Sequence, residues 1–445
     1  MITVVTPQEM VAIDTAAQET QEELIERAGA AVAQQARKML PAGQAHQVMV
    51  MVGPGANGAD GRVAARHLMA DGQKVTVTEA HLVPSQVSGF ALVIDAAFGT
   101  GLRRPHQGPT TDAPVLAVDL PSGLDGLTGE ILGKPTPAQC TITFAAAKPG
   151  HFLGQGPALC GDLVVADIGL DVSWANCWFA QVDDVAGLIP SRSSDAHKWQ
   201  SACWVIAGHQ GMEGAAYLAA RAAQRSGAGY VRLSVPGEPN PPAPLEVVVS
   251  PLNLADPLED HERFAALVLG PGLGPSEETS HAVQRWIKQA DQPMVVDGDG
   301  LRALVLTDRP VLRNVPLVMT PHDGEYHMLT GQPPASDRLK AARTLAQQYE
   351  SVVLLKGPTT VIADTTGATY LVRSGDQRLA TAGTGDVLSG IIGGFLARGA
   401  QPWAAAVGGA LVHGALLDAL PNTGVVAGDL DAHLPAVLSR LGVDA

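Results

Sequence analysis

The chain has 445 residues, too many for one ordinary core and enough for two domains of about 200 each. Apolar residues make up 46% and charged ones 16%, a globular balance that excludes intrinsic disorder. The formal net charge of −15, without a Lys- or Arg-rich run, excludes a basic footprint for nucleic acid or anionic lipid, so a bound phosphate needs local backbone donors.

Met1 to Pro7 shows no basic stretch leading into an apolar one, so no secretory signal is visible. Thr6-Pro7-Gln8-Glu9 predicts a helix start, with Thr6 as cap and Glu9 closing a capping box. A second helix is predicted over roughly Gln21 to Met39. Val48 to Val52 is a short continuous apolar run, as expected of a strand covered on both faces. It leads into Gly53-Pro54-Gly55-Ala56-Asn57-Gly58-Ala59-Asp60-Gly61, read as a loop, and then a helix over Arg62 to Ala70. Val75 to Val77, Ala91 to Asp95 and Val115 to Asp119 read as further buried strands. This alternation predicts a parallel α/β sheet with ligands beyond the carboxyl ends of its strands, where Asp95 and Asp119 fall.

Pro190-Ser191-Arg192-Ser193-Ser194-Asp195 suits a boundary, so domains are expected over residues 1–188 and 195–445. The strand rhythm then restarts with Cys203 to Ala207, Ala266 to Leu269, Met294 to Asp297, Leu317 to Met319 and Val352 to Leu355. In Ala382-Gly383-Thr384-Gly385-Asp386, the glycines permit a tight loop at a helix start, where free N–H groups favour a phosphate. Apolar residues at 387, 388, 391, 392, 395 and 396 continue the helix, and Gly390, Gly393 and Gly394 would let it pack closely on a neighbour. Asp386 is then placed to take a proton from a hydroxyl attacking a phosphoryl group, although an Asp there also serves as an ordinary helix cap. The four cysteines, with no Cys-x-x-Cys pair, read as buried thiols of a reducing compartment. No run approaches the roughly 18 to 20 apolar residues of a membrane span, so a cytoplasmic protein is expected.

The segment from Leu379 to Gly390 resembles the signature of the ribokinase-like superfamily. Together with Pro321-His322-Asp323-Gly324-Glu325, Lys356-Gly357-Pro358-Thr359-Thr360, Gly270-Pro271-Gly272-Leu273-Gly274 and Gly211 to Ala216, it resembles the ADP/ATP-dependent NAD(P)HX dehydratases over nearly all of residues 195–440. The resemblance implies that ADP or ATP, with Mg2+ expected alongside, phosphorylates the C6 hydroxyl of hydrated NADH or NADPH, and that phosphate then leaves. Lys356, Gly357, Pro358, Thr359, Thr360, Gly383 and Gly385 would contact the nucleotide. Ala215, Gly272, Gly274, His322 and Asp386 would contact the hydrate, with Asp386 catalytic. His322 also fits a satisfied loop histidine and Lys356 a surface lysine at a strand end. The chain departs from the usual pattern at Gly298, Gly300 and Arg302, and at Trp199 after His197-Lys198.

In the N-terminal half, Gly53, Gly55 and Gly58, with Glu79 about 20 residues further on, fit a dinucleotide fingerprint. Asn57 and Asp60 inside that segment suggest direct ligand or cation contacts instead. With Asp95 to Leu102, Val118 to Asp125, Phe144 to Gly150 and Asp167-Ile168-Gly169, the segment resembles the NAD(P)HX epimerase domain over about residues 5–185. That resemblance implies a K+ ion on Asn57, Asp95 and Ser122. It implies a substrate site of Ala56, Asn57, Gly58, Ala59, Asp60, Gly99, Thr100, Gly101 and Asp119, with Asp119 the acid/base. Ala56 and Ala59 stand where Asn and Gly are usual, and Ala59 would be strained if a glycine-only angle were needed.

The expected fold is α/β in both halves, a Rossmann-like parallel sheet followed by a ribokinase-like α/β domain. The expected partners are NADHX or NADPHX and ADP or ATP, with homo-oligomerisation left open. The rival reading is a ribokinase-like small-molecule kinase fused to a noncatalytic binding or assembly module.

Overall fold

The computed structural model describes residues 1–305, 313, 315 and 317–443; the last two residues of the expected second domain, 444 and 445, lie outside them. The chain divides into one unit over residues 2–177 and another over residues 178–445 together with Met1. The division falls ahead of the polar stretch around Pro190 because Val185 and Ile189 pack into the core of the second unit.

In the first unit, the helices Pro7–Ala16 and Gln21–Met39 both open on capping boxes, from Thr6 with Glu9 and from Thr20 with Glu23. The six-stranded sheet runs in the order Asp162–Ala166, Cys140–Phe144, Val115–Val118, Leu92–Ala96, Gln47–Val52, Lys74–Glu79. Its strands are parallel throughout. The continuous apolar runs are covered on both faces, and Val48, Val50, Ile94, Leu116 and Val118 are fully buried. The sequence reading of a loop up to Gly61 is corrected: the helix spans Ala56–Ala70, capped by the extended Gly55. Ala59 donates to the Gly55 carbonyl at 3.1 Å and has no positive φ, so the alanines cause no strain.

In the second unit, parallel strands run in the order Val248–Val249, Tyr230–Ser234, Ala202–Ile206, Ala266–Leu269, Met294–Val296, Leu317–Met319, Val352–Leu355. Thr360–Ala363 and Thr369–Val372 extend the sheet antiparallel beyond the last of these. Helix Thr384–Ala397 packs on helix Glu213–Arg225 through its glycines. A Cβ on Gly390 would stand 2.3 Å from the Ala219 carbonyl oxygen, and one on Gly394 2.7 Å from that of Ala223. Trp199 lies against Tyr230 at 4.4 Å between ring centres, with the Arg263 guanidinium 4.1 Å above it, so it belongs to a surface aromatic cluster. All four cysteines are buried, and none forms a disulfide among the described residues. Among the described residues no helix is long and apolar enough to cross a membrane.

Candidate active sites

The sheet of the first unit reverses its strand order between Gln47–Val52 and Leu92–Ala96, and ligands of such sheets bind beyond the carboxyl ends at that point. A cleft of about 670 Å³ opens there. Ala56, Asn57, Asp60, Gly99, Thr100, Gly101 and Asp119 line it, as the sequence predicts, joined by Asp14, Phe98 and Lys148, to which the sequence reading gave no role. Gly58 and Ala59 do not line it. A Cβ on Gly58 would stand 1.9 Å from the Gly53 carbonyl oxygen, so this glycine serves close backbone approach. Glu79 is not part of the cleft either; it pairs with Arg62 at 2.6 Å on the surface, so the ribose-binding half of the dinucleotide fingerprint is missing.

Asp119 has φ +66, a backbone state uncommon outside glycine. It is held there from several sides. His151 Nε2 donates to its carbonyl oxygen at 2.7 Å, while His151 Nδ1 accepts from the Lys148 amide at 2.9 Å, which fixes the tautomer. Burial, then the Lys148 charge, lowers the His151 pKa to about 4, keeping the ring neutral. Asp119 Oδ1 meets Lys148 Nζ at 2.9 Å and accepts from Thr143 Oγ1 at 3.0 Å; Oδ2 accepts from the Thr100 amide at 3.0 Å. Burial pushes this carboxyl up, but Lys148 and these donors outweigh it and hold it below the usual carboxylate range. Asp60 behaves oppositely: burial, reinforced by Asp119 and Asp14, pushes it up to about 8.

Beneath the cleft, Asp95 accepts from the Ser122 hydroxyl at 2.7 Å and the Ser122 amide at 2.9 Å. Asn57 is different: both atoms of its amide are buried without a hydrogen-bond partner. An orphaned amide oxygen, a carboxylate and a hydroxyl are a donor set that suits a hard cation.

The second unit places its polar side chains at the ends of three adjacent parallel strands. Asp297 follows Met294–Val296, Thr320 follows Leu317–Met319 and Lys356 follows Val352–Leu355. Lys356 Nζ meets Asp297 Oδ1 at 3.1 Å and Glu325 Oε2 at 3.6 Å, and Ser389 Oγ donates to Asp297 Oδ2 at 2.7 Å. Burial alone would lower the Lys356 pKa, but these carboxylates raise it overall, so Lys356 is a half-buried member of the cluster, held by ion pairs. The helix Thr384–Ala397 meets this group with its N-terminus, where Gly383 has φ +90 and a Cβ on Gly385 would lie 3.8 Å from Lys356 Nζ. Asp386 stands on its first turn. Burial first, then the Asp297 charge, pushes its carboxyl up to about 7.

His322 is exposed and caps the helix Asp323–Thr330, its Nδ1 accepting from the Gly324 and Glu325 amides at 2.9 and 3.2 Å. It reaches the cluster through Glu325, which accepts from the His322 amide at 2.7 Å. Ala215 and Gly272 are adjacent, a Cβ on Gly272 lying 2.9 Å from that of Ala215. Asp299 ties the loop by accepting from the Gly274 amide at 2.8 Å. Gly357 and Pro358 are exposed beside the cluster, Thr359 is buried and Thr360 opens a strand. Gly298, with φ +55, fits its turn freely, and Gly300 approaches Gly270 too closely for a Cβ to fit without shifts.

A base poised near neutrality at a helix N-terminus, beside a half-buried lysine, can activate a hydroxyl toward a phosphoryl group. Two carboxyls with opposed proton affinities in one cleft can serve as an acid and a base. Known proteins match both units. The family model NAD(P)H-hydrate dehydratase matches residues 203–439, and YjeF-related protein N-terminus matches residues 21–89 and 78–150. The bifunctional NAD(P)H-hydrate repair enzyme of Salinibacter ruber is 34% identical, over 88% of this chain and 87% of its own. That of Mycobacterium tuberculosis is 38% identical over 79% of each. The solved ADP/ATP-dependent NAD(P)H-hydrate dehydratase of Bacillus subtilis, co-crystallised with ATP and Mg2+, superposes with a TM-score of 0.52 at 31% identity, covering 59% of this chain and 98% of its own.

Proposed function

This chain belongs to the bifunctional NAD(P)H-hydrate repair enzymes, and from that membership we propose which residues carry its two reactions. We assign epimerisation of hydrated NADH or NADPH at C6 to the first unit, with Asp119 in acid/base work. We assign dehydration of the S epimer to the second unit. Its phosphoryl donor is ADP or ATP, with the phosphates at the N-terminus of Thr384–Ala397 and beside Lys356. Mg2+ would enter on the phosphates of the nucleotide, whose oxygens suit a hard cation.

Asp386 takes the proton of the C6 hydroxyl as that oxygen captures the terminal phosphoryl group. Phosphate then leaves C6 with the bonding pair, the N1 lone pair forms the N1–C6 double bond, and loss of a C5 proton restores the dihydropyridine. In the first unit Asn57, Asp95 and Ser122 would hold K+, which would offset the buried Asp95 charge and satisfy the Asn57 amide oxygen. Four buried thiols outside any disulfide suit a reducing compartment, and we assign the protein to the cytoplasm.

The observation that carries the dehydratase assignment is Asp386, raised to about 7 on a helix first turn within the Lys356–Asp297 group. Incubating the protein with hydrated NADH and either ADP or ATP tests it. The expected result is free phosphate, AMP or ADP, and returning dihydronicotinamide absorbance, with kcat lowered about 10²–10⁴-fold in Asp386→Asn. A stable phosphorylated product would identify a small-molecule kinase instead.

A further inference from the structure

Asp60 stands out among the polar residues of the first cleft. The residue is buried in the wall of the cleft, and its carboxyl takes no hydrogen bond from any described side chain or backbone group. Asp119, by contrast, has Lys148, Thr143 and the Thr100 amide on its two oxygens. The Asp60 oxygens open onto the cleft, and no protein donor competes for them. A ligand in the cleft can therefore meet this carboxyl directly.

We propose, building on the epimerase reading of this unit, that Asp60 is the general acid of epimerisation and works opposite Asp119. The Asp60 O–H bond breaks and its proton goes to the C6 hydroxyl oxygen. The C6–O bond breaks with its pair leaving in water, and the N1 lone pair forms the N1–C6 double bond of an iminium cation. Ionised Asp119 faces that cation. Water then adds to C6 from the other face, the π pair returns to N1, and Asp119 accepts the proton that water releases. Transfer of this proton to Asp60, directly or through solvent, closes the cycle, and no oxidant or further reactant is consumed.

The surroundings assign the roles in this order. Asp14 on Pro7–Ala16 and Asp119 at the end of Val115–Val118 are the charges that face Asp60 and favour its protonated form. The cation Lys148, after Cys140–Phe144, is engaged by Asp119. Glu19 at the rim is paired with Arg27 at 3.0 Å. With its carboxyl raised to about 8, Asp60 holds a proton at neutral pH, while Asp119 has given its own up.

The test follows interconversion of purified R and S NADHX by the full chain without nucleotide, in water enriched in 18O, above the uncatalysed background. The wild type is expected to take up one 18O per inversion, and its kcat to fall at alkaline pH with a midpoint near 8. Asp60→Asn is expected to lose about 10²–10⁴ in kcat with KM changed only a few fold, and Asp60→Glu to regain part of it. Retention of kcat within a few fold in Asp60→Asn, inversion without 18O uptake, or a flat alkaline limb in the wild type would each overturn the assignment. Those wild-type readings also decide it should Asp60→Asn fail to fold. A wild type that does not interconvert the epimers at all sinks the epimerase reading itself, and that result is seen before any variant is made.

Discussion

Asp386 and Asp297 show how residues far apart in sequence set each other's proton affinity. Asp297 lies among Lys356, Ser389 and Asp386, and its negative charge is one reason the Asp386 carboxyl rises to about 7, whereas Lys356 opposes that rise. The reactive form of Asp386 is the carboxylate, so kcat/KM for dehydration should climb with pH through about 7. Asp297→Asn removes a like charge, lowers the Asp386 pKa and should move that rising limb to lower pH. A pH series of kcat/KM measures it, and a limb that stays in place or moves upward refutes the coupling. Asp386 and Lys356 were legible in the sequence because each sits in a short motif. The roles of Asp297 and Glu325 were not, because their ion pairs with Lys356 close over strand ends that only the folded sheet brings together. Glu79 fits the spacing of a dinucleotide fingerprint, but Arg62 engages it on the surface.

At the scale of elements, the helix Thr384–Ala397 is placed by what its glycines lack. Adding a methyl at Gly390 meets the Ala219 backbone oxygen at 2.3 Å, which no rotamer change relieves. Gly→Ala inside a helix gains about 1 kcal/mol in propensity, but overpacking typically costs about 1–3 kcal/mol, so the clash decides the sign. Gly390→Ala should therefore lower Tm and displace Asp386, which the same helix carries. Gly428 in Ala427–Arg440 has nothing within 4 Å of an added Cβ, so Gly428→Ala should leave Tm unchanged or slightly higher. Thermal unfolding of the two variants side by side checks this, and equal Tm losses would show that packing is not the cause. Buried strands were readable because parallel strands covered on both faces are continuous apolar runs. The start of Ala56–Ala70 was not, since three glycines within a few residues suggest a loop unless the backbone that packs against them is known. Asp119 was found by its place at a strand end, but its left-handed backbone and the His151 contact that braces it leave no trace in the local sequence.

At the scale of the whole molecule, the two reactions are separable by substitution because each site is built within its own unit. A phosphoryl site that binds one configuration at C6 consumes only that epimer, and the other persists unless something inverts it. Asp119→Asn should remove the charge that Lys148, Thr143 and the Thr100 amide gather around in the first cleft, while leaving the Asp386 cluster untouched. Given a mixture of R and S NADHX with ADP, that variant should convert the S fraction at the wild-type rate and then slow to the uncatalysed rate of inversion. Asp386→Asn should do the reverse, equilibrating the epimers and releasing no phosphate. Mixing the two variants should restore complete conversion, since the inverted hydrate can diffuse between separate molecules. Chromatography of both epimers against time distinguishes these courses. Complete and rapid conversion by Asp119→Asn alone would mean that the second unit accepts either configuration, and the pairing of these two units in one chain would then need another physical explanation.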